Sequence, residues 1–318
     1  MALLDDFKRG DRRALSKVIT HIENRREDYR AALAQISRLD RKAYRIGITG
    51  PPGAGKSTLV DSLVAKLADS GKKIGVIAID PSSPFTGGAL LGDRVRMQHL
   101  ADKDKVYIRS MASRGQSGGL AAATRDVITV LDAFGMDLII IETVGIGQIE
   151  LDIIEACDTV VVILVPESGD MIQTMKAGLM EIADIFCVNK IDRPGADRLV
   201  SYLNNMIHER LGEFSQEFPA VGTNAVSGLG VDKLSDAISR HRDYIAGNGM
   251  FEQRRKRQLK NEILSSVRDR IVKDLDHMID LDGQFESISS KLTSGETDPY
   301  TAADEIYEHY FRGRLVNG

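Results

Sequence analysis

One stretch of the chain carries the residue types and the spacing of a phosphate-binding loop. Residues 50–57 read G-P-P-G-A-G-K-S and lie between an apolar run and a helical pattern, the context in which G-x-x-x-x-G-K-S cradles phosphates. Glycines let successive backbone N–H groups point at phosphate oxygens, and the helix N-terminus adds a favourable dipole. Lys56 can reach the outer phosphates and the Ser57 hydroxyl can ligate Mg²⁺. The predicted phosphate contacts are Gly50, Pro51, Pro52, Gly53, Ala54, Gly55, Lys56, Ser57 and Thr58.

A second motif, Asn189-Lys190-Ile191-Asp192, follows an apolar strand-like run and predicts the base. The Asp192 carboxylate can accept from guanine N1–H and N2–H₂, donors that adenine lacks. Asn189 can bond the O6/N7 edge, and the methylene stem of Lys190 can lie over the ring. Because a wrong base would leave these polar groups unpaired, such a site discriminates strongly. Downstream of a phosphate-binding loop, the motif predicts GTP and GDP as the ligands.

Candidate metal-binding and catalytic residues lie between these motifs. Glu142 closes an apolar strand, where nucleotide-binding folds of this kind place the carboxylate that holds Mg²⁺. Ile146 stands one residue after Gly145, where Ras-like proteins carry a glutamine that orients water. An alkyl side chain cannot orient water, so the isolated site is predicted to be incomplete. Gln148 and Asp93 are alternative candidates for the missing function, with an ordinary polar-loop role open for each.

Two further loops are predicted to respond to the nucleotide. Residues 80–94 are rich in Pro, Ser and Gly and are too long for a minimal crossover, which favours a switch loop. Asp80, at a strand end, is a second candidate for the metal. Residues 166–170, with Lys176 further on, are a candidate for another responsive loop, although a plain loop is the commoner meaning of such a segment.

Net charge, cysteine context and the N-terminal residues bear on the partners and the cellular compartment of the protein. The 318 residues carry a net charge of −4 with both signs interspersed, which predicts neither a nucleic-acid nor a membrane-surface partner. The basic cluster at residues 254–257 is interpreted as a solvated helix face. Cys157 and Cys187 lie in apolar contexts and are predicted to be reduced core thiols. The N-terminus lacks an apolar signal segment, and a cytoplasmic location is predicted.

Hydrophobic patterning predicts an α/β fold in three parts. Residues 1–41 form an N-terminal helical extension in which Asp11 caps the second helix. Residues 42–247 alternate strands and helices, which predicts a doubly wound, mainly parallel sheet of the P-loop GTPase type. Residues 248–318 are predicted to be a helical dimerisation arm. They carry an apolar stripe from Leu259 to Met278 and a last helix that is capped by Asp298 and bears Ile306, Tyr307, Tyr310 and Phe311. The predicted strands are 44–49, 74–79, 105–110, 137–142, 159–165, 185–189 and 219–223.

The sequence resembles a known family in four segments together. GITGPPGAGKSTL, AIDPSSPFTGGALLGDRVRM, ETVGIGQIELDI and VNKID are similar to the methylmalonyl-CoA mutase-associated GTPases of the MeaB/ArgK type, over nearly the whole chain. The resemblance implies a Mg²⁺-dependent GTPase chaperone. Such a protein gates adenosylcobalamin loading and protects an adenosylcobalamin-dependent acyl-CoA mutase, with methylmalonyl-CoA mutase the first expectation.

The resemblance also implies roles for individual residues. Lys56 and Ser57 would serve the phosphates and Mg²⁺, while Asp80, Asp93 and Glu142 would belong to the metal and catalytic shell. Lys176 would belong to a third switch that senses the partner. One departure is visible in the last guanine loop, where Asn224 precedes Ala225 and similar proteins have serine. The Ala225 backbone N–H would still meet guanine O6.

Two other functions compete at this stage. A phosphate-binding loop also serves small-molecule kinases, and this family has carried a transport-kinase label. A metal-insertion GTPase for a nickel enzyme is the other alternative, although such proteins usually have Cys/His ligand clusters that this sequence lacks. The preferred prediction is a homodimeric GTPase that is slow alone and is stimulated by its mutase partner.

Overall fold

A computed structural model gives the arrangement of most of the chain. The residues that it describes are 2–26, 28–39, 42–80, 104–112, 117–143, 145, 154–168, 182–282 and 284–309. Their contacts divide the chain into two compact units, Met1–Gln258 and Leu259–Gly318. Each unit is considered by itself below.

Seven strands of the first unit form one sheet, in the order β3-β2-β4-β1-β5-β6-β7. Every neighbouring pair among them is parallel, so the predicted parallel sheet is confirmed. Each predicted strand is present, with ends that differ by a residue or two. The strands are β1 (Tyr44–Thr49), β2 (Ile74–Asp80), β3 (Val106–Ala112), β4 (Leu138–Glu142), β5 (Thr159–Leu164), β6 (Ile185–Val188) and β7 (Ala220–Gly222).

In the described part of the chain, helices connect β1 to β2, β3 to β4 and β6 to β7, and further helices precede β1 and follow β7. Asp11 caps the second helix by accepting from the backbone N–H groups of Arg13 and Ala14, as predicted, and Asp298 caps the last helix in the same way. Two short helices, α3 and α9, lie in the segments predicted to be helical but were not predicted individually. The helices are α1 (Ala2–Lys8), α2 (Arg12–Glu23), α3 (Tyr29–Ile36), α4 (Lys56–Asp69), α5 (Ser117–Ala133), α6 (Ala196–Leu211), α7 (Val231–Gly247), α8 (Met250–Asp282), α9 (Gln284–Ser294) and α10 (Pro299–Tyr307).

Apolar side chains of the sheet are buried on both of its faces. Ile140 belongs to a core with α4 and α7, whereas its neighbours Ile139 and Ile141 belong to a core with α2, α5 and α6. Successive strand residues point to opposite faces, so a strand with helices on both sides has to be apolar throughout. This arrangement explains the continuous apolar strands and leaves polar residues to the strand ends.

The first two turns of α8 are fixed to the amino edge of the sheet, where the strands begin. Arg254 donates to both carboxylate oxygens of Asp184, with N–O distances of 2.8 and 2.7 Å, and Arg255 donates to Asp158 at 2.6 Å. Both carboxylates are buried. The interpretation of residues 254–257 as a solvated face is therefore wrong for Arg254 and Arg255, although Lys256 and Arg257 are exposed.

The second unit begins within α8 and exposes several large apolar side chains. Leu259, Ile263, Val267 and Ile271 recur every four residues, and each is between 45% and 63% exposed. The predicted stripe thus lies on a helix, while Met278 falls where side chains are outside the described part. Tyr310 and Phe311, predicted on the last helix, also lie outside it. None of the helices in the described residues is both long and apolar enough for a membrane span.

Candidate nucleotide and magnesium site

The predicted site residues that the structure describes lie at the carboxyl edge of the sheet. The phosphate-binding loop follows β1, Glu142 ends β4, the N-K-x-D motif follows β6, and Asn224 follows β7. Carboxyl ends of parallel strands share one edge, and ligands of open α/β sheets bind there. Four segments that lie far apart in sequence are therefore neighbours in space.

The backbone of the phosphate-binding loop requires glycine at two positions. Gly50 has φ 151°, and a Cβ atom there would lie 2.3 Å from the carbonyl oxygen of Ile163. Gly55 has φ 87°, and its Cβ would lie 2.4 Å from the side-chain nitrogen of Asn189. A left-handed backbone and the absence of a side chain are both properties of glycine. The loop consequently packs closely against β5 and against the guanine motif.

Lys56 is the first residue of α4 and is folded over the loop. Its Nζ donates to the carbonyl oxygens of Gly50 and Pro51 at 2.9 and 3.1 Å, and the residue is buried. The N-terminus of α4 adds the positive end of a helix dipole at the same point. A buried cation beside a helix N-terminus is a suitable setting for a polyphosphate.

Ser57 and Glu142, both predicted to bind Mg²⁺, lie in direct contact. The Ser57 hydroxyl donates to Glu142 Oε1 at 2.7 Å, and Glu142 is only 4% exposed. Among the described residues, no three His, Cys, Asp or Glu side chains form a metal-binding group. Mg²⁺ commonly takes one or two protein oxygens and completes its octahedron with phosphate and water. A hydroxyl and a carboxylate in contact therefore fit Mg²⁺.

Two threonines that were not predicted from the sequence form hydrogen bonds near the contact between Ser57 and Glu142. Thr49 Oγ1 donates to the carbonyl oxygen of Gly145 at 2.7 Å, and Thr143 Oγ1 lies 2.9 Å from Thr49 Oγ1. Both threonines are buried, so they hold the backbone that follows β4 next to the phosphate-binding loop. The sequence does carry a signal for them, because Thr49 is a polar residue that ends the apolar strand β1 and Thr143 directly follows the apolar strand β4.

The guanine motif is fastened to the phosphate-binding loop. Asn189 donates to the carbonyl oxygen of Ala54 at 2.8 Å, and Lys190 donates to that of Gly53 at 2.8 Å. The side-chain oxygen of Asn189 also accepts from the backbone N–H of Ala225 at 3.0 Å. Side-chain hydrogen bonds thus connect the N-K-x-D motif to the predicted phosphate-binding loop and to the loop after β7.

Asp192, in the loop after β6, and Asn224, in the loop after β7, are in direct contact. Asn224 Nδ2 donates to Asp192 Oδ1 at 2.7 Å. Cys187 on β6 is buried, and this burial raises the pKa of its thiol to about 12, although a hydrogen bond with Thr223 lowers it in part. Cys157 is also a buried thiol that forms no disulfide, as predicted.

Several predicted residues lie outside the described part of the chain. They are Asp93, Gln148 and Lys176, together with Ile146, whose side chain motivates the prediction of slow hydrolysis. Asp80 ends β2, but its side chain is not among those described. The topology places β4 between β1 and β2, so Glu142 stands on the strand next to the phosphate-binding loop and Asp80 one strand further away.

Comparison with known proteins identifies the family. The model of the family described as "Methylmalonyl Co-A mutase-associated GTPase MeaB" matches residues 15–279. The chain belongs to the MeaB family. Membership implies GTP and GDP as ligands and, typically, Mg²⁺, which agrees with the contact between Ser57 and Glu142.

Individual relatives match across almost the whole chain. A Pyrococcus abyssi protein that is named as a GTPase is 46% identical, covering 98% of this chain and 97% of its own. The mitochondrial methylmalonic aciduria type A homolog of Caenorhabditis elegans is 30% identical, covering 97% and 82% respectively. A crystal structure of LAO/AO transport system kinase covers 97% of this chain and 96% of its own, with a TM-score of 0.72 at 24% identity. That likeness establishes the shared P-loop fold.

Proposed function

We propose that this protein is a Mg²⁺-dependent GTPase chaperone of an adenosylcobalamin-dependent acyl-CoA mutase, with methylmalonyl-CoA mutase as its first expected partner. The main observation in favour of this nucleotide chemistry concerns the phosphate-binding loop. At its end Ser57 contacts Glu142, and in its middle the carbonyl oxygen of Ala54 accepts a hydrogen bond from Asn189 of the N-K-x-D motif. Membership of the MeaB family and the similarity to a methylmalonic aciduria type A homolog support the partner.

In the proposed mechanism the phosphate-binding loop exchanges protein contacts for nucleotide contacts. Lys56 leaves the carbonyl oxygens of Gly50 and Pro51 and donates to the outer phosphates. Ser57 and Glu142 would hold Mg²⁺, which neutralises charge on the transferring phosphoryl group when it is bound. Phosphoryl transfer depends mainly on positioning and on charge stabilisation. The chain's own contribution is a set of donors already oriented by α4 and the loop.

Slow hydrolysis without a partner is also part of the proposal. This proposal is based on Ile146, which has an alkyl side chain at the position after Gly145 where Ras-like proteins carry the glutamine that orients water. Asp93, Gln148 and Lys176 are the candidates that a mutase would bring into place. A partner can raise the fraction of molecules in the active arrangement only if it binds that arrangement more tightly than the inactive one. The nucleotide state should therefore change the affinity for the mutase reciprocally.

We further propose a homodimer through the second unit. The exposed side chains of Leu259, Ile263, Val267 and Ile271 recur every four residues along α8, and contiguous exposed apolar patches mark sites of protein–protein contact. A two-fold partner would bury the same row from both copies. Light scattering at micromolar concentration should give the mass of a dimer, and Ile263→Asp should give a monomer. The exposed-charge control Lys273→Asp should leave the dimer intact, and a monomeric wild type would remove this proposal.

The decisive test of the catalytic proposal is release of phosphate from GTP, with and without purified methylmalonyl-CoA mutase. We expect slow release that requires Mg²⁺, acceleration by the mutase, and no use of ATP. Lys56→Ala should abolish nucleotide binding, whereas Lys66→Ala, which changes a half-exposed lysine of the same helix, should not. Asp93→Ala or Lys176→Ala should retain binding and lose the acceleration.

Three results would contradict the proposal in different ways. Full activity that no acyl-CoA mutase alters would overturn the chaperone role. Transfer of phosphate to a small-molecule acceptor, in place of free phosphate, would favour a kinase. Tight, stoichiometric nickel binding would favour a metal-insertion GTPase.

A further inference from the structure

The hydroxyl groups of two buried threonines join the start of the phosphate-binding loop to the turn that follows β4. Thr49 is the last residue of β1, and its Oγ1 atom donates to the carbonyl oxygen of Gly145 at 2.7 Å. Thr143 Oγ1 lies 2.9 Å from Thr49 Oγ1 and 3.2 Å from the same carbonyl oxygen. The backbone N–H of Thr143 also donates to the carbonyl oxygen of Ile48 at 3.0 Å. Two segments that are 94 positions apart in the sequence are thus held at one point.

The two hydroxyl groups act in a fixed order. Each hydroxyl has one proton to donate, and because Thr49 gives its proton to Gly145, the Thr49 oxygen can accept the proton of Thr143. The two threonines are 1% and 0% exposed, so water does not compete, and hydrogen bonds in such a chain strengthen one another. The β-branched side chain of threonine also has few χ1 rotamers. The carbonyl group of Gly145 is therefore held in one direction.

Gly145 comes three residues after Glu142, which is proposed to hold Mg²⁺ together with Ser57. Because Mg²⁺ bridges oxygens of the β- and γ-phosphates, a turn beside its carboxylate ligand is a neighbour of the γ-phosphate. A Cβ atom at Gly145 would have no described atom within 4 Å, so the turn borders open space. A glycine there can present its backbone N–H to the γ-phosphate, a group that GDP lacks.

We propose that Thr49 and Thr143 are positioning residues that set the preference for GTP over GDP by holding Gly145 ready for the γ-phosphate. A donor that is already oriented loses less conformational entropy when its ligand binds. The gain applies to GTP alone, because the predicted contacts of the base and of the first two phosphates lie in other segments. This inference rests on the proposed function, in which the protein binds GTP with Mg²⁺ at Ser57 and Glu142.

The geometry predicts how substitutions rank. Thr49→Val keeps the shape of the side chain and removes the shorter bond to Gly145, so it should have the larger effect. Thr143→Val leaves that bond in place and should have the smaller effect. Thr49→Ser keeps the hydroxyl and loses the methyl group, so it should retain most of the preference for GTP. A role in packing alone predicts the reverse order for the valine and serine variants.

The test compares GDP with a non-hydrolysable GTP analogue in calorimetric titrations with Mg²⁺. Thr49→Val should lower the affinity for the analogue roughly fivefold and the affinity for GDP by less than about twofold. The ratio of the two affinities does not depend on the fraction of folded protein, so a loss of stability cannot produce this change. The matched control is Thr124→Val on α5, a buried threonine whose hydroxyl lies 3.9 Å from the sulfur of Met111. It should leave the ratio unchanged.

The outcomes separate this inference from the proposed function. If the wild type binds neither nucleotide, the proposed function itself fails. If the wild type binds both, and Thr49→Val lowers both affinities equally or changes neither, only the positioning role is overturned. Tighter binding of the analogue by Thr49→Val would mean that the hydroxyls hold Gly145 away from the γ-phosphate, which also overturns it. The same change of ratio in Thr49→Ser or in Thr124→Val would show that the hydroxyl of Thr49 is not its cause, with the same consequence.

Discussion

Both edges of the sheet carry buried polar side chains, but the hydrogen-bond partners of these side chains differ between the two edges. At the carboxyl edge Lys56 and Asn189 donate to backbone carbonyl oxygens of a loop. At the amino edge Asp184 is paired with Arg254 and with His241, and it also accepts from the backbone N–H of Val160. A side chain that donates to a backbone carbonyl oxygen can donate to a ligand in its place. Opening a buried ion pair, in contrast, leaves an unpaired charge in the interior, which costs several kcal/mol. The carboxyl edge suits exchange of partners, and the amino edge suits permanent attachment of the first two turns of α8.

The largest effect is expected at the amino edge. Asp184→Ala should lower the free energy of unfolding by about 3–5 kcal/mol, because it leaves the largely buried Arg254 side chain (17% exposed) without its carboxylate. Urea unfolding without nucleotide measures this loss. The control Asp243→Ala removes an exposed carboxylate that pairs with Arg242 and should change stability by less than about 1 kcal/mol.

A double substitution sharpens that prediction. Changing Asp184 and Arg254 together to leucine should recover part of the loss, because no unpaired charge then remains in the interior. A loss below about 1 kcal/mol in Asp184→Ala would mean that the amino edge is as exchangeable as the carboxyl edge, and the contrast would fail.

The opposite pattern is expected for Asp192→Asn at the carboxyl edge. The free energy of unfolding without nucleotide should stay within about 0.5 kcal/mol, because Asp192 is exposed. GDP binding should weaken by about 2–3 kcal/mol, since one acceptor becomes a donor that opposes guanine N1–H. Xanthosine diphosphate should bind better than it does to the wild type. Calorimetric titration measures both nucleotides, with exposed Asp236→Asn as the control.

The stability of the protein in acid should report on the amino edge. Burial alone would raise the pKa of Asp184, but hydrogen bonds from Arg254 and His241 outweigh burial and lower the pKa to about 2. A lowered pKa in the folded state contributes stability above the ordinary value of 3.8, and this contribution disappears as the pH falls from 3.8 towards 2. It amounts to about 2 kcal/mol. Unfolding at a series of pH values should show it, and Asp184→Asn should flatten that part of the curve.

The smallest effect concerns the two thiols, one near each edge. Burial raises the pKa of Cys157 and of Cys187, so neither forms a thiolate readily. A thiol reagent should label both only after unfolding, and adding GDP should not change the native rate. Fast labelling of Cys187 in the native protein would show that the carboxyl edge opens further than its hydrogen bonds imply.

Local patterns account for much of the predicted fold. Apolar strand-length runs predicted every strand of the sheet, and Asp11 and Asp298 marked helix starts, because capping depends on residues two or three positions away. The short helices α3 and α9 have few turns, and a short helix is formed chiefly by its packing. The sequence carried too little periodic signal to predict them.

Residues 254–257 show the limit of local reasoning. A run of basic residues in a helix is usually solvated, and Lys256 and Arg257 follow that rule. Arg254 meets Asp184 across 70 positions of sequence, and Arg255 meets Asp158 across 97. No pattern in the run distinguishes the paired arginines from their exposed neighbours, since the pairing depends on where the helix lies against the sheet.

The sequence by itself determined the phosphate-binding loop, the N-K-x-D motif, Glu142 and the alternation of strands and helices, because each depends on residues close together in the chain. Only the tertiary structure decided that β4 lies between β1 and β2, that Ser57 meets Glu142 and that Asn224 meets Asp192. Those contacts depend on strand order and on loops that approach one another at a shared edge. Strand order minimises the free energy of the whole core, which no short segment encodes.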